Sequence, residues 1–251
     1  MRDYLVQHVK GIRRIVPDQE IPKAYRRDYL AAQAELADEH IEEDLEAERV
    51  TALYLMNHYL RVGDANGEWW KAQHSLGSEV FDHLIQKHWN HGPLDQISAW
   101  IHSLATDSSI QSCIELGCGV GGLAHRIQDV SGIYLGMDSS FASIALARHL
   151  SLGMEYPTTI KIPEDLMAGG VSREIKTPKP KSPSGKIDFI VGDIENLPLV
   201  PEDYDVSVAL NAIDMLDEPA RLPELQAQLV RPGGYVLQSC PYIWSETVAK
   251  N

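Results

Sequence analysis

The sequence predicts an α/β domain built on a doubly wound parallel sheet, preceded by a helical region. Three observations predict it. From about residue 110, short apolar runs bounded by turns alternate with helix-like stretches. The runs carry few alternating polar residues, as strands buried on both faces do. A glycine-crowded turn, "GCGVGG" at 117–122, follows the first run, the kind of turn that lets a backbone approach a ligand closely.

Residues 1–106 read as helix. The segment 24–62 has neither Gly nor Pro, and Leu30, Ala34, Ile41, Leu45, Leu53, Met56 and Leu60 recur near helical spacing. Its acid-rich middle is a solvated helix face. "GDANG" at 63–67 ends it, 68–89 is a further amphipathic run, and Gly92-Pro93 leads into a last helix at 94–105. Beyond lie expected strands at 112–117, 132–138, 186–193, 204–211 and 234–240, with helices at 121–129, 140–152 and 217–230. A long insertion spans about 153–185, and its Pro-, Lys- and Ser-rich end at 176–185 is expected to be a mobile loop. The division is therefore 1–106, a helical region for substrate recognition or a lid, and 107–251, the sheet domain.

Composition narrows the function. A chain of 251 residues with 44% hydrophobic and 23% charged residues can bury a real core. The net charge of −14 argues against a nucleic-acid partner, which needs a basic face. Cys113, Cys118 and Cys240 are sparse, odd in number and without a CxxC, which suits a reducing compartment and disfavours a thiolate zinc site. His83, His88 and His91 have spacings that place at most two on one helix face, so no metal is expected. No apolar run is long enough for a signal peptide or a membrane span, leaving the cytoplasm as the default location.

The glycine turn fits two patterns. Gly117, Gly119 and Gly122 satisfy GxGxxG; Glu115, Gly117, Gly119 and Gly121 satisfy E/DxGxGxG. Asp138, followed by Ser139, lies 19 residues after Gly119 at the end of the second strand, where a carboxylate can accept from both ribose hydroxyls. Together these indicate a nucleoside-containing cofactor, nicotinamide or sulfonium. Glu115 favours a cationic ligand, because a carboxylate there would repel a pyrophosphate. Asp193 and Ile194 in "GDIENLP" suit an adenine ring, the "RPGG" at 231–234 precedes the fifth strand, and no YxxxK is present.

Turn, Asp138, "GDIENLP" and "RPGG", in this order over about 112–244, resemble the class I S-adenosylmethionine (SAM) methyltransferases, which have a Rossmann-like sheet. The resemblance implies SAM as cofactor, held by Glu115, Gly117, Gly119, Gly121, Asp138, Ser139, Asp193, Ile194 and Asn211. A narrower set of strings, "LYLMNHY", "ALNAIDMLDEPARL" and "CPYIWSE", is similar to the methyltransferase domain of ovothiol-making enzymes, which methylate an imidazole nitrogen. It places Asn211, Asp214, Tyr242, Trp244, His58 and Tyr59 at the acceptor. Asp214 is expected to hydrogen-bond the acceptor, with Tyr242 and His58 as general-base candidates.

Each residue also has a structural alternative. Asp138 and Asp214 could cap helices, Asp193 could stabilise a turn, Tyr242 and Trp244 could pack, and His58 could be a satisfied core histidine. Seven residues follow Trp244, so the two further strands of the usual seven-stranded sheet are expected to be missing, in a shortened fold or a fragment. The expected function is methyl transfer to a small molecule bearing an imidazole, amine or thiol. A peptide or protein methyltransferase, a non-catalytic scaffold and a nicotinamide oxidoreductase remain alternatives.

Overall fold

The computed structural model describes residues 4–9, 12–17, 58, 92–107, 110–152, 159–163, 172–176, 186–197 and 199–242. The strands are β1 (Tyr4–Val9), β2 (Ile12–Pro17), β3 (Ser112–Leu116), β4 (Ile133–Asp138), β5 (Thr159–Pro163), β6 (Ser172–Lys176), β7 (Lys186–Val191), β8 (Tyr204–Leu210) and β9 (Val230–Ser239). The helices are α1 (Pro93–Asp107), α2 (Gly122–Ile127), α3 (Phe141–Leu152) and α4 (Leu222–Leu229).

Seven strands form one sheet in the order β1-β2-β7-β4-β3-β8-β9. The five strands β7-β4-β3-β8-β9 run parallel, with β9 at one edge of the sheet. These strands alternate with helices along the chain, and helices pack on both faces, the doubly wound arrangement the patterning predicts.

Period-two alternation divides the core. Cys113, Tyr134, Phe189, Val206 and Val208 face α1, α2 and α3, where Ile97, Ile101, Leu123, Ile127 and Ile144 meet them. Ile114, Leu116, Met137, Ile190 and Ala209 face the other way, against Leu222 and Leu229 of α4. β3, β4, β7 and β8 are thus covered on both faces, which is why they read as unbroken apolar runs, while the edge strand β9 is largely exposed.

The N-terminal end differs from expectation. Residues 4–17 form an antiparallel hairpin, Val9 pairing with Ile12 and Tyr4 with Pro17, where helix is expected. The hairpin joins the parallel sheet through Arg14 and Val191. The local signal was present: β-branched runs "YLVQHV" and "IRRIVP" separated by Lys10-Gly11. The long helical period that follows outweighs it. Thus the chain's own hairpin covers the β7 edge, adding β2 parallel to β7 and β1 beyond it.

Two local features depart from regular geometry. The "RPGG" segment is a bulge inside β9: pairing steps from Tyr204↔Val230 to Val206↔Tyr235, with Gly233 at φ 86°. The insertion supplies β5 and β6, which pair with each other in a separate two-stranded sheet. The mobile loop expected within 176–185, the helix over 24–62, the amphipathic run 68–89 and the histidine trio 83, 88 and 91 lie outside the described residues, apart from Lys176 and His58.

The amino ends of the strands are held by Asp205. Its Oδ2 accepts from the backbone N–H of Gln111 at 2.6 Å and Ser112 at 2.8 Å, and it pairs with Arg231 of the bulge. A groove of about 470 Å³ opens at this end, between Ile133, Lys186, Tyr204 and Arg231. It lies opposite the glycine turn, and the carboxylate within it is already committed to the backbone.

Candidate functional site

The glycine turn connects β3 to α2 through three left-handed residues: Gly117 (φ 75°), Gly119 (52°) and Gly121 (77°). Backbone N–H groups of Gly117 and Cys118 both donate to the Met137 carbonyl, at 2.8 and 3.0 Å. Gly119 N–H donates to Asp138 Oδ2 at 2.9 Å, while Asp138 Oδ1 accepts from Ser140 N–H at 2.8 Å. One carboxylate therefore clamps the turn and sets the entry to α3. Ser140 caps that helix, its Oγ accepting from Ser143 N–H at 3.2 Å. Asp138 is thus next to the cap rather than the cap itself, and Ser139 beside it is exposed.

The turn meets the carboxyl ends of two other strands. A Cβ placed on Gly117 would lie 2.9 Å from Ala212 Cβ and 3.6 Å from Ile194 Cδ1. Gly117, Ile194 and the Asn211-Ala212 pair therefore converge where β3, β7 and β8 end. In open α/β sheets this carboxyl-end crevice is where ligands bind. Asn211 is exposed and left-handed, φ 53°.

Other expected site residues are placed for structural work. Gly121 faces inward: an added Cβ would lie 2.7 Å from the Phe189 ring and 3.0 Å from Ala147 Cβ. Its glycine is required by packing and by φ. Asp193 caps the turn over Ile194–Asn196, Oδ1 accepting from Glu195 N–H at 2.9 Å and Oδ2 from Asn196 Nδ2 at 2.6 Å. Asp214 is buried in the 3-10 turn Ile213–Met215. Tyr242 is 77% exposed, its N–H donating to Cys240 Sγ at 3.3 Å; its ring stands in solvent, which does not suit a base within a closed site. Trp244 and Tyr59 lie outside the described residues.

Glu115 requires a correction. As the fourth residue of β3 it points with Cys113 into the face covered by α1–α3, and it is fully buried. Its Oε2 accepts from the Tyr134 hydroxyl, and Oε1 has no hydrogen-bond partner among the described residues. Burial pushes its carboxyl up to about 8, with Asp138 adding to the rise and the Tyr134 hydrogen bond and Arg126 opposing it. Buried, bonded to Tyr134 and raised toward its neutral form, the acid does not offer the fixed negative charge expected to favour a cationic cofactor. A tyrosine within the apolar run "GIYLGMD" was the available clue, since a buried hydroxyl requires a partner.

His58 also requires one. Its Nδ1 accepts from Gly122 N–H at 3.0 Å, satisfying the first free donor of α2, and its carbonyl accepts from Arg126 Nη1 at 2.9 Å. Arg126 in turn reaches Asp95 of α1, Nε to Oδ1 at 3.3 Å. Desolvation, then the Arg126 charge, lowers the imidazole to about 3. A neutral, engaged imidazole is a weak base, so His58 anchors α2 and does not fit as a general base. No local pattern reveals this pairing, because the partners are 64 residues apart.

The two shifts have opposite consequences for stability. His58 binds protons more readily when unfolded, so its contribution is lost as pH falls from about 6.5 toward 3. Glu115 holds its proton more tightly when folded, so its contribution is full below about 4.5 and is lost as pH rises toward 8. The slopes oppose between about 4.5 and 6.5, giving a stability plateau there with a loss on either side. Urea midpoints measured across pH should show this shape. Glu115→Gln should flatten the alkaline limb and His58→Gln the acidic limb; an unchanged alkaline limb in the Glu115 variant would refute the buried-acid assignment.

Among the described residues no group of three or more His, Cys, Asp and Glu is arranged to hold a metal ion, and no helix is long and apolar enough to cross a membrane. A family model described as a methyltransferase domain matches residues 165–238. A curated relative, the malonyl-[acyl-carrier protein] O-methyltransferase of Haemophilus ducreyi, is 27% identical over 158 residues, covering 61% of this chain. The chain spans about half, 48%, of that relative's length. Similar solved structures include a SAM-dependent methyltransferase from Mesorhizobium loti (22% identity, TM-score 0.38, 59% of this chain and 54% of that one). Another comes from Clostridium acetobutylicum (14% identity, TM-score 0.41, 62% and 54%).

Proposed function

We propose that this chain, a class I SAM-dependent methyltransferase by its sheet, its glycine turn and its family matches, binds SAM above Gly117 and methylates a small molecule. The observation that carries the cofactor assignment is the cradle at Gly117, which any side chain would fill against Ala212 and Ile194, with Asp138 held beside it by Gly119 and Ser140. Asp138, at the carboxyl end of β4 and partly exposed, is the carboxylate assigned to the ribose hydroxyls. Ile194 offers an apolar surface for the adenine ring. SAM supplies a methyl group on a positively charged sulfur, already activated for in-line displacement.

The task left to the protein is orientation of the acceptor at near-contact distance. Asn211 and Asp214, at and just past the end of β8, are the residues assigned to it. With His58 engaged and neutral and Tyr242 exposed, the described residues favour an acceptor that arrives with a free lone pair. The acceptor we assign is an imidazole, amine or thiol of an amino-acid derivative. A carboxylate oxygen is the second reading, favoured by the relative that acts on a malonyl group; it too needs no base.

Calorimetry with SAM and with NAD tests the cofactor. Micromolar SAM binding and absent NAD binding are expected, and the reverse pattern overturns the assignment. A mass-spectrometric panel of imidazoles, amines, thiols and carboxylates, scored for methyl gain, then identifies the acceptor class. SAM binding without a product from any of them would favour a non-catalytic scaffold.

A further inference from the structure

The ends of β8 and β9 are joined by a reciprocal pair. Asn211 N–H donates to the Ser239 carbonyl at 3.0 Å and also to Ser239 Oγ at 3.2 Å. Ser239 Oγ–H donates back to Asn211 Oδ1 at 2.8 Å. A serine hydroxyl has one hydrogen and two lone pairs. Here the hydrogen is spent on the Asn211 carboxamide oxygen, which determines which end of that carboxamide points away.

The pairing maintains an uncommon backbone state. Asn211 is left-handed at φ 53°, a conformation rare for side-chain-bearing residues, which asparagine adopts more readily than most and glycine most readily of all. If only a reversal of the chain were needed, glycine would supply it without strain. The residue is exposed, so its hydrogen bonds to Ser239 contribute little to folding. It stands beside Ala212, which borders the Gly117 cradle. Strained, exposed polar residues held by neighbours at the ligand end of a sheet are candidates for ligand contact.

We propose that Ser239 is a positioning residue which fixes Asn211 so that its Nδ2–H2 group donates to an oxygen of the methyl-accepting molecule, a carbonyl or carboxylate. A fixed amide donor attracts an oxygen lone pair and repels an ammonium. The pair therefore selects for an oxyanion or carbonyl on the acceptor, wherever the methyl itself is placed. The proposal rests on the cofactor assignment above only for the location of the site.

The test uses the full chain with S-adenosylhomocysteine in place of the reactive donor and malonate as the oxyanion probe. Cofactor binding is read by calorimetry, and malonate binding by titration of the Asn211 side-chain amide signals in a ¹⁵N-labelled sample. Ser239→Ala should weaken malonate about tenfold, the value of roughly one hydrogen bond, with S-adenosylhomocysteine affinity unchanged. Ser239→Thr, which retains the hydroxyl on a residue suited to a strand, should restore it. Imidazolium at the same concentration should not shift the amide signals.

Malonate binding insensitive to Ser239→Ala, or an Asn211 amide that responds to imidazolium and not to malonate, overturns the proposal while the cofactor assignment stands. Absent S-adenosylhomocysteine binding with malonate binding that still depends on Ser239 overturns the cofactor assignment alone. Absence of both kinds of binding overturns both.

Discussion

Asp138→Ala is expected to raise the SAM dissociation constant by roughly ten- to a hundredfold. The carboxylate has two roles that converge on one ligand. It accepts from Gly119 N–H at 2.9 Å and from Ser140 N–H at 2.8 Å, so its removal frees the glycine turn and the entry to α3 together. It is also the group assigned to the ribose. A hydrogen bond to a charged group contributes about 1.5–3 kcal/mol, and about 1.4 kcal/mol is a factor of ten. Asp138→Asn retains one acceptor oxygen and should fall between the two, which separates loss of charge from loss of the clamp. Calorimetry decides the matter, with circular dichroism as a check that the variant is folded. SAM affinity in a folded Asp138→Ala protein equal to that of the parent would remove the ribose assignment.

Gly121→Ala should destabilise the fold by about 3 kcal/mol or more. Two costs add at this position. The backbone is left-handed at φ 77°, worth about 1–2 kcal/mol for any L side chain. The new methyl would also lie 2.7 Å from Phe189 Cε1, 2.8 Å from Cζ and 3.0 Å from Ala147 Cβ. Phe189 is fully buried and stacks edge-on against Tyr134, ring centres 5.8 Å apart, so it has little room to yield. Phe189→Leu removes ring atoms from the clash at a cost of its own. In the double variant the two losses should therefore sum to less than their separate values, a coupling that urea denaturation can measure. Strictly additive losses would show that Gly121 is required for φ alone and that the packing account is wrong.

These two positions show how differently a single motif is used. Gly117 and Gly121 sit in one E/DxGxGxG pattern, and by sequence both are cofactor glycines. Gly117 faces a crevice between strand ends, whereas Gly121 faces an aromatic ring in the core. The same division applies to the acids. Asp138 lies at a strand end, as its distance from Gly119 suggested, and there it clamps the turn, a role the sequence did not indicate. Glu115, two residues before the first glycine, is turned into the helix-covered face and bonded by Tyr134. Asp193 takes the turn-stabilising role that the sequence had offered as its alternative. Ser239 and Arg126 were not foreseen; each acts through a partner on another element.

Local chemistry determined much of this protein. The five parallel strands, α1–α3, the glycine turn and Asp138 were legible, because a strand buried on both faces must be continuously apolar and a left-handed turn must be glycine-rich. Only the tertiary structure decided that the N-terminal hairpin completes the sheet at β7, that His58 caps α2, and that Ser239 fixes Asn211. The reason is physical. Periodicity and turn residues constrain neighbours along the chain, while the partner of a buried acid, a helix end or a strained amide is set by whatever the packed fold brings beside it.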